Sequence, residues 1–136
     1  MHRVFPLGIV VLLALGCASV AERATLKPLP EDSPPPPYGD MLTRARTQAN
    51  LANDAFYVNN WTDMEDAAKG LEQTARLLPK VTDVPAKQKD ILPVISADLA
   101  KEAGELREAI KTQDVKKSNE IMQRIHLKVR ELRLDN

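Results

Sequence analysis

Beyond residue 37, hydrophobic residues recur every three or four positions, which is the spacing of an amphipathic helix. The pattern divides into four stripes separated by polar turns, so it predicts four helices. The stripes consist of Tyr38, Leu42, Ala45, Ala49, Ala52 and Phe56; Trp61, Met64, Ala68, Leu71, Ala75 and Leu78; Leu92, Ile95, Leu99, Ala103, Leu106 and Ile110; and Val115, Ser118, Met122, Ile125, Val129 and Leu132.

Signals for helix ends accompany three of these helices. Thr62 and Glu65 have the spacing of a capping box at the start of the second helix. Asp90 is a candidate N-cap for the third helix and Asp114 for the fourth. Pro79 ends the second helix, because proline lacks the amide that a helix interior needs.

The connections between the stripes determine how the helices pack. The turns at residues 59–61 and 111–114 are short, and short connections make consecutive helices antiparallel. The longer segment 80–89 allows either a simple turn or a crossing over the bundle end. Because narrow apolar stripes bury one another in a bundle, we predict an all-α, antiparallel four-helix bundle over residues 39–136.

The first part of the chain has the pattern of a secretory leader. Arg3 precedes an apolar run from Val4 to Leu15, which is too short to be a convincing membrane span. The only cysteine, Cys17, follows this run in "LLALGC". A lone cysteine in an exported chain has no partner for an internal disulfide.

These residues resemble a bacterial lipoprotein signal, in which cleavage precedes a cysteine that becomes lipidated. The resemblance implies a signal peptide at residues 1–16 and a lipid anchor, palmitate included, at Cys17. Several acyl chains bury enough methylenes for stable anchoring. Ala18 after the cysteine resembles lipoproteins that are sent to an outer membrane, so the resemblance implies an exported protein facing the periplasm.

Ala14 departs from the leucine that is usual at that position of a lipoprotein signal. The competing interpretation is cleavage by ordinary signal peptidase after Ala18 or Ala21, which would release a soluble protein.

Residues 17–38 contain six prolines, four of them consecutive. Proline fixes its own backbone angle and removes a hydrogen-bond donor, so we predict an extended, lipid-anchored tether. At about 3.1 Å per residue, such a tether would hold the bundle several nanometres from the membrane. Alternatively, the proline run is a ligand for a proline-reading domain.

The segments 63–80 and 95–133 resemble the second helix and the last two helices of the cytochrome c-prime family and its b-type haem relatives. That family attaches haem through Cys-x-x-Cys-His in its last helix. At the matching place this chain reads Ile125, His126, Leu127, Lys128, Val129. The thioether cysteines and the iron-binding histidine are missing, which excludes covalent haem. The resemblance implies a haem-free member of this bundle class.

His126 has three interpretations. It could bind noncovalent haem together with Met41, as the b-type relatives suggest. It could form a copper pair with Met122, which lies four residues earlier on the same helix. It could also be an ordinary half-buried residue at the helix edge. Because stable sites need three or four ligands, we expect no metal or cofactor and keep haem as the alternative.

The charges limit the classes of function. Lys and Arg number 19, and so do Asp and Glu, so no overall field favours nucleic acid. Asp98, Glu102 and Glu105 have the spacing of a solvated helix face rather than an acid/base pair. The last helix is basic, and we predict that it pairs with the third helix across their antiparallel turn.

The chain carries no phosphate-binding glycine loop and no nucleophile elbow. We therefore predict a non-catalytic bundle anchored to the cell envelope that binds a protein or a small ligand. The alternative is a haem- or copper-binding bundle that uses His126 with Met41 or Met122. Whether two copies of the protein pair through one helical face as a homodimer stays an open question.

Overall fold

The computed structural model describes residues 24–133, which form four long helices, one short helix and one 3-10 turn. The predicted leader and Cys17 lie outside the described residues. The elements are α1 Tyr38–Tyr57, α2 Trp61–Leu77, a 3-10 turn Leu78–Lys80, α3 Ala86–Lys89, α4 Leu92–Lys111 and α5 Val115–Glu131.

The four long helices pack in an antiparallel manner as a bundle, which confirms the predicted fold class. Helix α1 packs against α2 and α5, and α4 packs against the same two helices. Successive long helices are therefore neighbours, and segment 80–89 makes a turn at the bundle end rather than a crossing. In the part of the chain that the structure describes, no helix is both long and apolar enough to cross a bilayer.

The predicted stripes form most of the core. Every member of the α4 stripe is buried, and so are Ser118, Met122, Ile125, Val129 and Leu132 on α5. The stripes are wrong at their edges, where Val115 is 55% exposed and Leu42, Phe56 and Trp61 are only partly buried. The sequence analysis missed several core positions: Met41, Gln48, Ala55 and Ile121.

Two of the three predicted caps are wrong. Helix α2 is capped by Asn60, whose side chain accepts a hydrogen bond from the Asp63 N–H at 3.1 Å. Thr62 already lies inside this helix. Asp90 follows the short helix α3, and α4 begins after Ile91 without a side-chain cap. Asp114 is confirmed as the cap of α5, since it accepts from the Lys117 N–H at 2.9 Å.

The α1–α2 and α4–α5 turns share one design. Asn59 and Gln113 adopt a positive φ of 55° and 50°. The next residue in each turn donates its N–H to a carbonyl five residues back, Asn60 to Ala55 at 2.8 Å and Asp114 to Ala109 at 3.0 Å. This is the pattern of a Schellman C-cap. Because the same residue then caps the following helix, each turn reverses the chain tightly.

Residues 25–31 pack along the bundle, and we call them the strap. Leu26 and Leu29 lie against the hydrophobic core. The side-chain amide of Gln73 accepts a hydrogen bond from the Leu29 N–H at 2.8 Å and donates one to the Leu29 carbonyl at 2.9 Å. Gln48 Nε2 donates to the Thr25 carbonyl at 2.8 Å. The proline content placed this segment in the predicted tether. In the structure it is docked on the bundle, because Leu26 and Leu29 contact the core and Gln48 and Gln73 bond its backbone.

Candidate functional site

The most open seam of the bundle lies between its first and last long helices. Among the four pairs of neighbouring long helices, α1 and α5 make the sparsest contact. The space between them is a groove with a volume of about 530 Å³, which we call the α1–α5 groove. It is lined by Arg46, Asn50, Gln123, His126, Leu127, Val129, Arg130 and Arg133.

The lining of this groove carries charge of one sign. Arg46, Arg130 and Arg133 line it, and among residues 24–133 no carboxylate does. Their guanidinium groups make no hydrogen bond or ion pair with another residue of the range 24–133. A chain with balanced total charge therefore concentrates unpaired cations at one groove.

The seam between α4 and α5 is the opposite case. Arg124 Nε lies 2.9 Å from Glu102 Oε1, and its Nη2 lies 3.4 Å from Glu105 Oε2. Lys128 Nζ lies 3.1 Å from Asp98 Oδ2, and this hydrogen bond raises the pKa of Lys128. The carboxylates of Asp98, Glu102 and Glu105 on α4 are therefore ion-paired with these two cations. The predicted pairing of the last two long helices is confirmed for Arg124 and Lys128, whereas Arg130 and Arg133 line the α1–α5 groove instead.

His126 lines the α1–α5 groove and is half-buried. Burial lowers the pKa of its imidazole, because the charged form loses hydration there. At neutral pH the ring is therefore uncharged, and it offers one donor and one acceptor to the groove. Across residues 24–133, no group of three or more His, Cys, Asp or Glu side chains is arranged to hold a metal ion.

The predicted partners of His126 lie elsewhere. Met41 is fully buried in the core and Met122 is 2% exposed. Neither side chain lines the groove. A haem held between His126 and Met41 would need the Met41 sulfur to leave the core, so the two residues do not present ready axial ligands to one cavity. Haem and copper binding stay predictions that rest on His126.

Neutral side chains donate hydrogen bonds to the backbone carbonyls of the two residues that follow α5, beside the groove. The Tyr38 hydroxyl donates to the Leu132 carbonyl at 2.9 Å, and burial raises the pKa of this phenol. Gln88 Nε2 donates to the Arg133 carbonyl at 2.8 Å. The carbonyl of the C-cap residue Leu132 and that of the next residue, Arg133, thus have partners.

The sequence analysis did not identify Arg46, Asn50 or Gln123 as site residues. Each lies outside the hydrophobic stripe of its helix, where polar residues are ordinary. A signal was present in the spacing, since Arg46 and Asn50 are four apart on α1 and His126 and Arg130 are four apart on α5. These two pairs of residues form one site only because α1 and α5 are neighbours in the bundle.

No family model, curated protein or solved structure matches this chain. Its class therefore follows from its own architecture. It is a small all-helical domain with four main helices packed as a bundle.

Proposed function

We propose that this protein is a non-catalytic binding module of the cell envelope, anchored through a lipid at Cys17, that holds a ligand in the α1–α5 groove. In the proposal the bundle is of the cytochrome c-prime type without covalent haem. The observation that carries the binding role is the groove itself. It is open and lined mainly by polar and cationic side chains, whereas the helices of the other three neighbouring pairs pack more closely against each other.

The ionic contacts favour binding over catalysis. A general acid or base needs a titratable group that is free to exchange a proton with the substrate. Asp98, Glu102 and Glu105 are instead held by Lys128 and Arg124 at the protein surface. At the groove, the guanidinium groups stay protonated at any physiological pH and serve as binding groups.

The strap affects how the proposed anchor places the bundle. Because the chain is fixed to α1 and α2 from Thr25 onward, only residues 18–24 separate the lipid from a docked segment. A seven-residue stretch spans at most roughly 25 Å when fully extended. The bundle would then sit close to the membrane surface, nearer than a free tether of residues 17–38 would hold it.

The anchor is tested by labelling cells with an alkyne analogue of palmitate and separating soluble from membrane fractions. We expect label and membrane association for the wild-type chain and loss of both for Cys17→Ser. A cysteine-independent membrane fraction, or unlabelled protein in the soluble fraction, would contradict the anchor.

The groove is tested by native mass spectrometry of full-length protein extracted from membranes in a nonionic detergent. We expect a small-molecule adduct that disappears in Asn50→Trp, because the indole fills the groove. Thr43→Trp is the matched control, since Thr43 is exposed on α1 and does not line the groove. An adduct that is absent from the wild type, or retained in Asn50→Trp, counts against the groove as the binding site.

A further inference from the structure

The three arginines of the α1–α5 groove lack a structural task within the described residues. Cations near a helix C-terminus stabilise the helix dipole, which accounts in part for Arg130 and Arg133. The carbonyls of Leu132 and Arg133, which follow α5, are bonded by Tyr38 and Gln88, and neither guanidinium group donates to a carbonyl of residues 24–133.

Arg46 cannot be explained by the dipole at all. It lies in the middle of α1, more than two turns from either end of the helix. Several other arginines of the bundle have acidic partners, such as Arg124 with Glu102 and Arg107 with Glu65. Arg46 instead lines a groove to which the described part of the chain contributes no carboxylate.

The positions of the arginines along the groove bear on the size of the ligand. The bond from Tyr38 to Leu132 sets these two residues at the same level of the antiparallel helices. At about 1.5 Å per residue, Arg46 then lies about 10 Å along the groove from Arg130. Because an arginine side chain extends several ångströms from its Cα, this spacing is compatible with two guanidinium groups on one phosphate group as well as with a longer ligand.

The remaining lining indicates the rest of such a ligand. Asn50 and Gln123 supply neutral amides that donate to and accept from hydroxyl groups. Leu127 and Val129 supply apolar contact. An anionic group attached to a polar, partly apolar body fits this mixture, whereas a bare inorganic ion uses only part of it.

We infer that the α1–α5 groove binds a phosphate-bearing small molecule or lipid headgroup, with Arg46, Arg130 and Arg133 as the phosphate-binding side chains. The inference rests on the proposed role of the groove as a binding surface. Guanidinium forks match the oxygens of phosphate with paired, charge-assisted hydrogen bonds. A phosphate monoester carries up to two negative charges, so it can engage more than one guanidinium.

The place of the strap makes a lipid headgroup a reasonable source of the phosphate. Gln48, which holds the strap, and Arg46, which lines the groove, lie two residues apart on α1. Because residues two apart point to nearly opposite sides of a helix, the strap and the groove flank α1 on different sides, and the docked chain leaves the bundle about one helix diameter from the groove. With the proposed anchor at Cys17, membrane headgroups come within reach of these arginines.

The test is calorimetric titration of full-length protein in nonionic detergent, at low salt, with inorganic pyrophosphate, glycerol 3-phosphate and short-chain phosphatidylglycerol as separate probes. The test variant combines Arg46→Gln, Arg130→Gln and Arg133→Gln. The matched control combines Lys80→Gln, Lys87→Gln and Lys89→Gln, which removes the same charge from exposed lysines outside the groove.

We expect at least one probe to bind the wild type and the lysine variant, and the arginine variant to bind it at least ten-fold more weakly. Tighter binding of phosphatidylglycerol than of both soluble phosphates identifies a lipid headgroup as the source. The reverse order identifies a free phosphorylated compound. Both orders support the inference.

No binding of any probe to the wild type, or an equal loss in the two triple variants, would overturn the inference. The second result would mean that overall charge, not the groove, attracts the anion. Single Arg46→Gln serves as a second test if the triple variant loses helicity. A groove adduct in the mass spectrum with no phosphate binding would refute this ligand class and leave the binding module standing.

Discussion

The two grooves beside helix α1 are built from different chemistry. The groove toward α2 is covered by the strap, which is held mainly by the neutral amides of Gln48 and Gln73 and also by the Arg44 guanidinium, which donates to the Lys27 carbonyl. The groove toward α5 stays open and is lined by arginines. Amides can be buried once their hydrogen bonds are satisfied, whereas a guanidinium group loses far more hydration on burial.

This difference separates a structural groove from a binding groove. In the α1–α2 groove, Thr74 Oγ1 donates to Gln48 Oε1 at 2.8 Å, and Gln48 in turn holds the strap. Each of these buried polar groups has a partner in the same chain. In the α1–α5 groove, the guanidinium groups of Arg46 and Arg130 have no partner among residues 24–133. Substitutions should therefore cost stability in the first groove and binding in the second.

The largest stability effect is expected for Gln48→Ala. Gln48 is fully buried, and its loss removes two hydrogen bonds, leaves the Thr74 hydroxyl without this acceptor and opens a cavity. We expect a loss of about 2–4 kcal/mol in the free energy of unfolding. Asn50→Ala, two residues later in the open groove, should cost less than about 0.5 kcal/mol. Urea denaturation of both variants measures the difference, and equal costs would erase the contrast between the grooves.

Gly70→Ala probes how closely α1 and α2 approach. A Cβ at Gly70 would lie 2.7 Å from Gln48 Nε2, so the alanine displaces the amide that anchors the strap. We expect a net loss of about 1–2 kcal/mol, because overpacking outweighs the better helix propensity of alanine.

Gly104→Ala is the matched control for this substitution. Gly104 is also helical, and an added Cβ there meets nothing within 4 Å. Alanine should stabilise this helix by about 0.5–1 kcal/mol. Thermal unfolding followed by circular dichroism should move the two melting temperatures in opposite directions, and a shift of the same sign in both would refute the close approach.

Arg107 extends the comparison from amides to ion pairs. Its guanidinium joins Glu65 at 2.9 Å and Glu72 at 2.7 Å, which links α4 to α2, and these hydrogen bonds raise its pKa. Arg107→Gln leaves two carboxylates side by side in a half-buried seam. We expect a cost of about 1–2 kcal/mol by urea denaturation. Arg130→Gln in the open groove should stay within about 0.5 kcal/mol, and a larger loss would reveal a structural role for that arginine.

Local periodicity was enough to predict most of this fold. The stripe from Leu92 to Ile110 is buried at every predicted position, because side chains that share a helical face must share a neighbour. The caps were harder to predict, since several polar residues near a helix start compete for one role. At α2, Asn60 takes that role and Thr62 does not.

The strap and the candidate site could not be predicted from local patterns. Leu26 and Leu29 lie in a proline-rich segment without helical period, and their docking depends on Gln73, more than forty residues away. Arg46 and Arg130 become one cluster only after the bundle places α1 beside α5. The sequence did single out His126, with a half-buried helix-edge residue as the expectation and haem or copper binding as the alternative, and the methionines of that alternative are buried in the core.

The smallest expected effect concerns His126 and the pH dependence of stability. Burial lowers the pKa of its imidazole below the ordinary value of 6.5, so the unfolded chain binds the proton more readily than the folded one. The neutral ring therefore keeps its full contribution above pH 6.5 and loses it progressively as the pH falls toward the lowered pKa. Arg46 on α1 and Arg130 and Arg133 on the α5 side also line this groove, and no carboxylate of the described range 24–133 does.

Replacement of His126 by glutamine isolates the contribution of the imidazole to the pH dependence of stability, because the variant keeps a polar side chain that does not titrate. The stability difference between the two proteins should change between pH 7 and pH 5, with the wild type losing more. Urea denaturation at half-unit intervals gives the difference directly. Parallel curves would mean that the imidazole is as well solvated when folded as when unfolded. A reversed slope would place an undetected anion beside His126, and in a phosphate-binding groove the added ligand should produce that reversal.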